Sequence, residues 1–112
     1  MKEMLNRLKV WEYEMRIYAK SGEVNRLIKA RGGLHSYVGN LLELVSARIG
    51  YIRECSENDL EPEFVGDSDI SRLELKLEVL KGWKNLSAPS SFFYKSLINR
   101  AKSNYHAKKG SR

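Results

Sequence analysis

Cations and flat rings crowd the end of this 112-residue chain, where Lys84, Lys95, Arg100, Lys102, His106, Lys108 and Lys109 are interleaved with Trp83, Phe92, Phe93, Tyr94 and Tyr105. Ammonium and guanidinium groups neutralise phosphates, and an aromatic face stacks on an unpaired base, so this mixture is the chemistry of a single-stranded nucleic-acid surface. The expected contacts are Lys84, Lys95, Arg100, Lys102, Lys108 and Lys109 on phosphates, with Tyr105 or Tyr94 as the stacking ring. The competing reading is a helix whose rings are core and whose lysines only keep it in solution. The sequence leaves both open.

Other chemistries find less to work with. There are two histidines, His35 and His106, and no H-E-x-x-H, no phosphate-binding glycine loop and no nucleophile elbow. The single cysteine, Cys55, has no partner for a disulfide or a cysteine zinc site, which fits a reducing compartment. Beside Glu54, with Arg53 as its nearest cation, it reads as an inert thiol at a helix end. Asp67-x-Asp69-x-Ser71 with Glu78 imitates a calcium loop, but Arg72 stands where the bend needs glycine, so helix capping accounts for these residues better. No catalytic role, cofactor or metal is expected.

The net charge of +6 is unevenly placed. All 14 acidic residues lie at or before Glu78, and residues 1–94 balance them with 14 basic ones, so the excess is Lys95, Arg100, Lys102, Lys108, Lys109 and Arg112. Conversely, Glu54, Glu57, Asp59, Glu61, Glu63, Asp67 and Asp69 occupy a stretch free of lysine and arginine. Hydrophobic residues make up 42% of the chain, which argues for a folded domain and, at this length, for one compact core. The charged first residues do not suit a signal peptide, and no apolar run approaches the roughly 20 residues of a membrane span. A cytoplasmic protein without membrane contact is expected.

These side chains must be positioned by helices. Met4, Leu8, Trp11, Met15 and Tyr18 step by 4, 3, 4 and 3 along one helical face, predicting a helix over 3–20. Val24, Leu27 and Ile28 suggest a short piece closed at Gly32-Gly33, after which Val38, Leu42, Val45, Ile49 and Ile52 repeat the spacing and predict a helix over about 35–56. Gly39 and Gly50 weaken that helix unless close packing requires them or it is split. Residues 57–69, with Pro62 and Gly66, read as a loop. Asp67, Ser68 and Asp69 are candidate N-caps, and Ser71 with Glu74 has capping-box spacing for a helix over 70–86. Ser87-Ala88-Pro89-Ser90-Ser91 breaks the chain, and Phe93, Leu97 and Ala101 start a last helix that runs to about Tyr105. The expected architecture is all-α: a small bundle of about four to five helices, two of them long and amphipathic, with a basic C-terminal helix. Residues 1–106 form the single domain and 107–112 a frayed basic tail.

Three resemblances bear on function. Val38, Gly39, Leu42, Leu44, Ile49 and Ile52 match apolar and small positions of the helix-turn-helix in phage-repressor-like domains, with Arg48 and Arg53 beside the recognition helix. Glu43 replaces the glycine of that turn, and an unbroken helix fits better. Arg100 and His106 share the R-x5-H spacing of the HEPN ribonucleases, with Ala101 where those carry a polar residue. Finally, residues 66–77, then Phe93-Tyr94-Lys95-Ser96-Leu97-Ile98, with Ala47-Arg48-Ile49-Gly50-Tyr51 upstream, resemble the UvsY-type recombination mediators of tailed phages. Ser90-Ser91 and Pro89 depart from that pattern. The resemblance implies single-stranded DNA binding, assembly into rings and recombinase loading, with Lys95 and Arg100 as strand contacts.

The sequence therefore points to a small nucleic-acid-binding accessory protein, with single-stranded DNA favoured and the phage recombination role implied by the resemblance. A homo-oligomer is expected because two heptad-like faces offer more apolar stripe than a short chain can cover. The alternative is a helical protein–protein adaptor or inhibitor that docks on a protein partner through those faces.

Overall fold

The computed structural model describes residues 1–63 and 69–110. Asp67 and Ser68, two of the candidate caps, lie outside the described residues, as does Arg112. Four helices carry the chain: α1 (Lys2–Ser21), α2 (Val24–Glu57), α3 (Ile70–Ser87) and α4 (Phe92–Gly110). No strand occurs among the described residues, so the protein is all-α.

The seam of α1 turns inward. Met4, Leu8, Met15 and Ala19 are buried, with Trp11 and Tyr18 packed against the same core. Gly22 ends the helix at φ 74°, a left-handed conformation cheap for glycine. Its N–H reaches Ala19 O (3.4 Å) and the N–H of Glu23 reaches Tyr18 O (2.9 Å), closing the last turn in the Schellman manner.

The expected break at Gly32-Gly33 does not occur: α2 runs unbroken for 34 residues. The reason lies on α1. A β-carbon at Gly33 would stand 2.7 Å from Trp11 Cη2, so this position is stripped bare to seat the indole, not to turn the chain. Close packing explains neither Gly39 nor Gly50, since a β-carbon at either would meet nothing within 4 Å. Leu27, Ala30, Leu34, Val38, Val45, Ile49, Ile52 and Cys55 keep one face of α2 buried throughout. That continuous face outweighs the roughly 1 kcal/mol each glycine costs.

Asp69 caps α3, its Oδ1 accepting from the N–H groups of Ser71 (3.0 Å) and Arg72 (3.4 Å). The Ser71–Glu74 capping box is not formed, because Ser71 already lies within α3 and Glu74 pairs with Arg53 of α2. α3 runs antiparallel along α2 from that pair to a junction at its other end. There Arg31 donates to Ser87 O (2.9 Å) and His35 Nδ1 lies 2.9 Å from the fully buried Ser87 hydroxyl. The polar groups at this buried helix end are thus satisfied. Ser91 supplies the next cap, its Oγ accepting from Tyr94 N–H (3.1 Å) while donating to Leu86 O (2.6 Å). α4 then continues to Gly110, past the fraying expected after Tyr105, so Lys108 and Lys109 stand on helix.

The outline is elongated. The molecule measures 70 × 23 × 17 Å, with a radius of gyration of 18.6 Å. A compact chain of this length would have about 13 Å. α2, about 51 Å long at 1.5 Å per residue, is the spine. α1 doubles back along its first half from the Gly22 turn and packs with α4 there, while α3 follows it from Arg53 back to Arg31. The rod is thick at the α1–α2 turn and thins to the α2–α3 pair at the other end.

Candidate nucleic-acid interface

The place where α4 crosses the α1–α2 turn is held by backbone contact. A β-carbon at Gly22 would lie 2.8 Å from Tyr105 N and 3.0 Å from its Cα, so only glycine lets α4 pass this close. From α4, Asn104 Nδ2 donates to Ala19 O (3.0 Å) and Lys20 O (3.2 Å), satisfying carbonyls that the end of α1 leaves without intrahelical partners. Leu97 and Ala101 are buried beneath this part of α4. The last turns of α4 therefore project from a fixed base.

Beyond that base lies an open cleft of about 1010 Å³. Residues 21–26 form one wall, and Lys102, Tyr105, His106, Lys108 and Lys109 form the other. Four of the seven expected site residues, Lys102, Tyr105, Lys108 and Lys109, thus converge here. Arg26, from the first turn of α2, faces them across the cleft. Its guanidinium lies 3.0 Å from Glu23, and with 69% of the Arg26 side chain exposed this pair holds it loosely. Glu23 is the one carboxylate among the described lining residues, and it also accepts from the Ser21 hydroxyl at 2.6 Å. Tyr105 is 48% exposed and meets the His106 imidazole edge-on at 5.6 Å, so a flat face stands beside the cations.

The other expected contacts are dispersed. Lys95, Lys102, His106 and Lys109 recur at 7, 4 and 3 residues and share one outward stripe of α4. Arg100 lies roughly 160° around the helix from Lys102, on the flank towards α1. Lys84 is exposed on the last turn of α3 and takes no part in the cleft. Tyr94 is corrected as a stacking platform: it is half-buried against the core, with the Arg31 guanidinium 5.3 Å from its ring centre. Phe93 is engaged likewise by Arg16 at 5.2 Å. Phe92, 87% exposed, is the open ring at the start of α4.

Arg26 was not legible as a site residue. It lies 76 positions before Lys102, within a short amphipathic segment whose local pattern signals only helix. The Arg100–His106 pair of the ribonuclease-like spacing is divided, with His106 in the cleft and Arg100 outside its lining. Among the described residues no helix is long and apolar enough to cross a membrane. Comparison of the chain with protein-family models, curated proteins and solved structures returns no match.

Proposed function

We propose that the protein is a nucleic-acid-binding accessory factor that holds a single strand at the cationic end of the rod by electrostatics and stacking, without covalent chemistry. The observation carrying this reading is the convergence of Arg26, Lys102, Lys108 and Lys109 with the exposed Tyr105 ring around one open cleft. Phosphates meet the cations, a base lies on Tyr105, and Lys95 extends the track along α4. The finer role of a phage-type recombination mediator is supported by the sequence resemblance, which adds Lys95 and Arg100 as strand contacts.

Fluorescence anisotropy with labelled single-stranded and duplex probes over a salt series tests the proposal. Single-strand affinity should fall along a log–log line whose slope is about −0.7 per phosphate contact. Absence of salt-sensitive binding to DNA or RNA at micromolar protein rejects it. The adaptor reading would then lead, favoured by Val10, Tyr13, Leu44 and Leu75, which are each more than half exposed.

A further inference from the structure

A second hollow, of about 410 Å³, opens between α1 and α2 at the same end of the rod. Its described lining is Trp11, Glu14 and Tyr18 from α1 with Arg26, Lys29 and Ala30 from α2. Arg26 lines the cationic cleft as well, so one guanidinium joins the two hollows. Half-buried rings along a helix pair are ordinary packing, but these two stand among cations that continue the cleft.

Helix geometry keeps this groove clear of α4. Trp11, Glu14 and Tyr18 step by 3 and 4 and share one side of α1. Arg16, whose guanidinium stands over Phe93 of α4, lies roughly 160° around the helix from both Glu14 and Tyr18. α4 therefore packs on the other flank of α1. Tyr18 lies about one turn from Gly22 and Trp11 about two turns further on, its indole laid across to α2 over the bare Gly33. Arg7, four residues before Trp11, is exposed on the same side of α1. Counted outward from the Gly22 turn, Arg26, Tyr18, Lys29, Trp11 and Arg7 alternate cation and ring.

We infer that a single strand held in the cleft continues over Arg26 into this groove, with Arg26 and Lys29 on its phosphates and Tyr18 and Trp11 against its bases. This second arm rests on the reading of the cleft as a strand site, and joins the one that Lys95 extends along α4. Glu14 is the opposing charge: its carboxylate repels the phosphates that Lys29 attracts.

Trp83→Phe leaves Trp11 as the single indole of the chain and gives the groove its own optical signal. On titration with an oligothymidylate of about 16 nucleotides, Trp11 emission should fall in step with the rise in anisotropy of the labelled strand. Two further variants are made in the wild-type background. Lys29→Ala, at an exposed position, should keep the helical circular dichroism and flatten the salt slope by about 0.7. Glu14→Gln should tighten binding, by up to about fivefold, which damage to the fold would not do. Salt-sensitive binding that leaves Trp11 emission unchanged, or whose slope survives Lys29→Ala, or that Glu14→Gln does not tighten, overturns the groove while the reading of the cleft stands. Absence of salt-sensitive binding to the strand overturns both.

Discussion

The two ends of the rod are built from the same spine and carry opposite charge. At one end Arg26, Lys102, His106, Lys108 and Lys109 surround a cleft with a single carboxylate among its described lining residues. At the other, Glu54, Glu57, Asp59, Glu61, Glu63 and Asp69 lie in the last turn of α2, just after it, or directly before α3. Across a molecule 70 Å long the ends are separated by several times the roughly 8 Å over which salt screens exposed charges. They do not neutralise one another, and each must find its counter-charge elsewhere. A net charge of +6 conceals this arrangement, since what a phosphate meets at the cleft is local charge. Construction differs as well. The cationic end is clamped by backbone contact between α4 and Gly22, whereas the acidic end is held by the apolar α2–α3 seam of Ile49, Ile52 and Leu73 with exposed polar contacts around it. Among these are Leu60 N–H to Cys55 O (2.8 Å), Glu63 N–H to the Tyr51 hydroxyl (3.0 Å) and the exposed Arg53–Glu74 pair.

The sharpest way to break the contrast is Gly22→Ala. The new side chain would face both a left-handed backbone and the α4 main chain at 2.8 Å, which no rotamer relieves. A loss of about 3 kcal/mol in urea unfolding is expected. Amide exchange should accelerate first around residues 97–105, where α4 lifts from the turn. Uniform acceleration along all four helices would show that the clamp is not local.

Tyr105→Ala addresses the cleft itself. The ring is 48% exposed, so its removal should cost little stability, but single-strand affinity should weaken by about 1–3 kcal/mol while duplex binding barely changes. Tyr94→Ala should show the opposite pattern, destabilising the fold because that ring is packed beneath Arg31. Arg26→Ala has a smaller expected effect: the salt slope for a single strand should flatten by about 0.7, and folding should change by less than about 0.5 kcal/mol because the Glu23 pair is exposed. Anisotropy and urea melts on the same preparations check all three variants.

How far the sequence disclosed this arrangement depends on the range of the interaction. Local signals were legible. The seam of α1, the break at residues 87–91 and the Asp69 cap lie within a few residues of what they govern, and so does the segregation of acids from the basic end. Signals that depend on another helix were not. Gly33 reads locally as a stop, and only Trp11, 22 positions earlier, makes it a seat. Tyr94 and Tyr105 look alike in a row of rings, and Arg31 distinguishes them by covering one. Arg26 entered the cleft because Gly22 and Asn104 bring α4 to the α1–α2 turn, a contact with no trace in local composition. The elongated outline has a related cause: length alone bounds how much surface is buried, whereas the outline follows from one helix continuing through a glycine pair.

The smallest expected effect is the most demanding test of the two-ended picture. Glu61 is exposed in the loop after α2. Glu61→Lys reverses one charge at the acidic end, moving the net charge from +6 to +8. If affinity for a strand followed net charge, the change would tighten binding much as an added cleft lysine does. If affinity is set at the cleft, the reversed charge lies too many screening lengths away to act, and the dissociation constant at about 0.15 M salt should stay within about twofold of wild type with an unchanged salt slope. Lys102→Glu, an equal change of opposite sign inside the cleft, should weaken binding markedly under the same conditions. Lowering the salt to about 0.01 M lengthens the screening distance to about 30 Å. Any tightening by Glu61→Lys should therefore emerge only at low salt, and a full effect at 0.15 M would show that the strand reaches the acidic end.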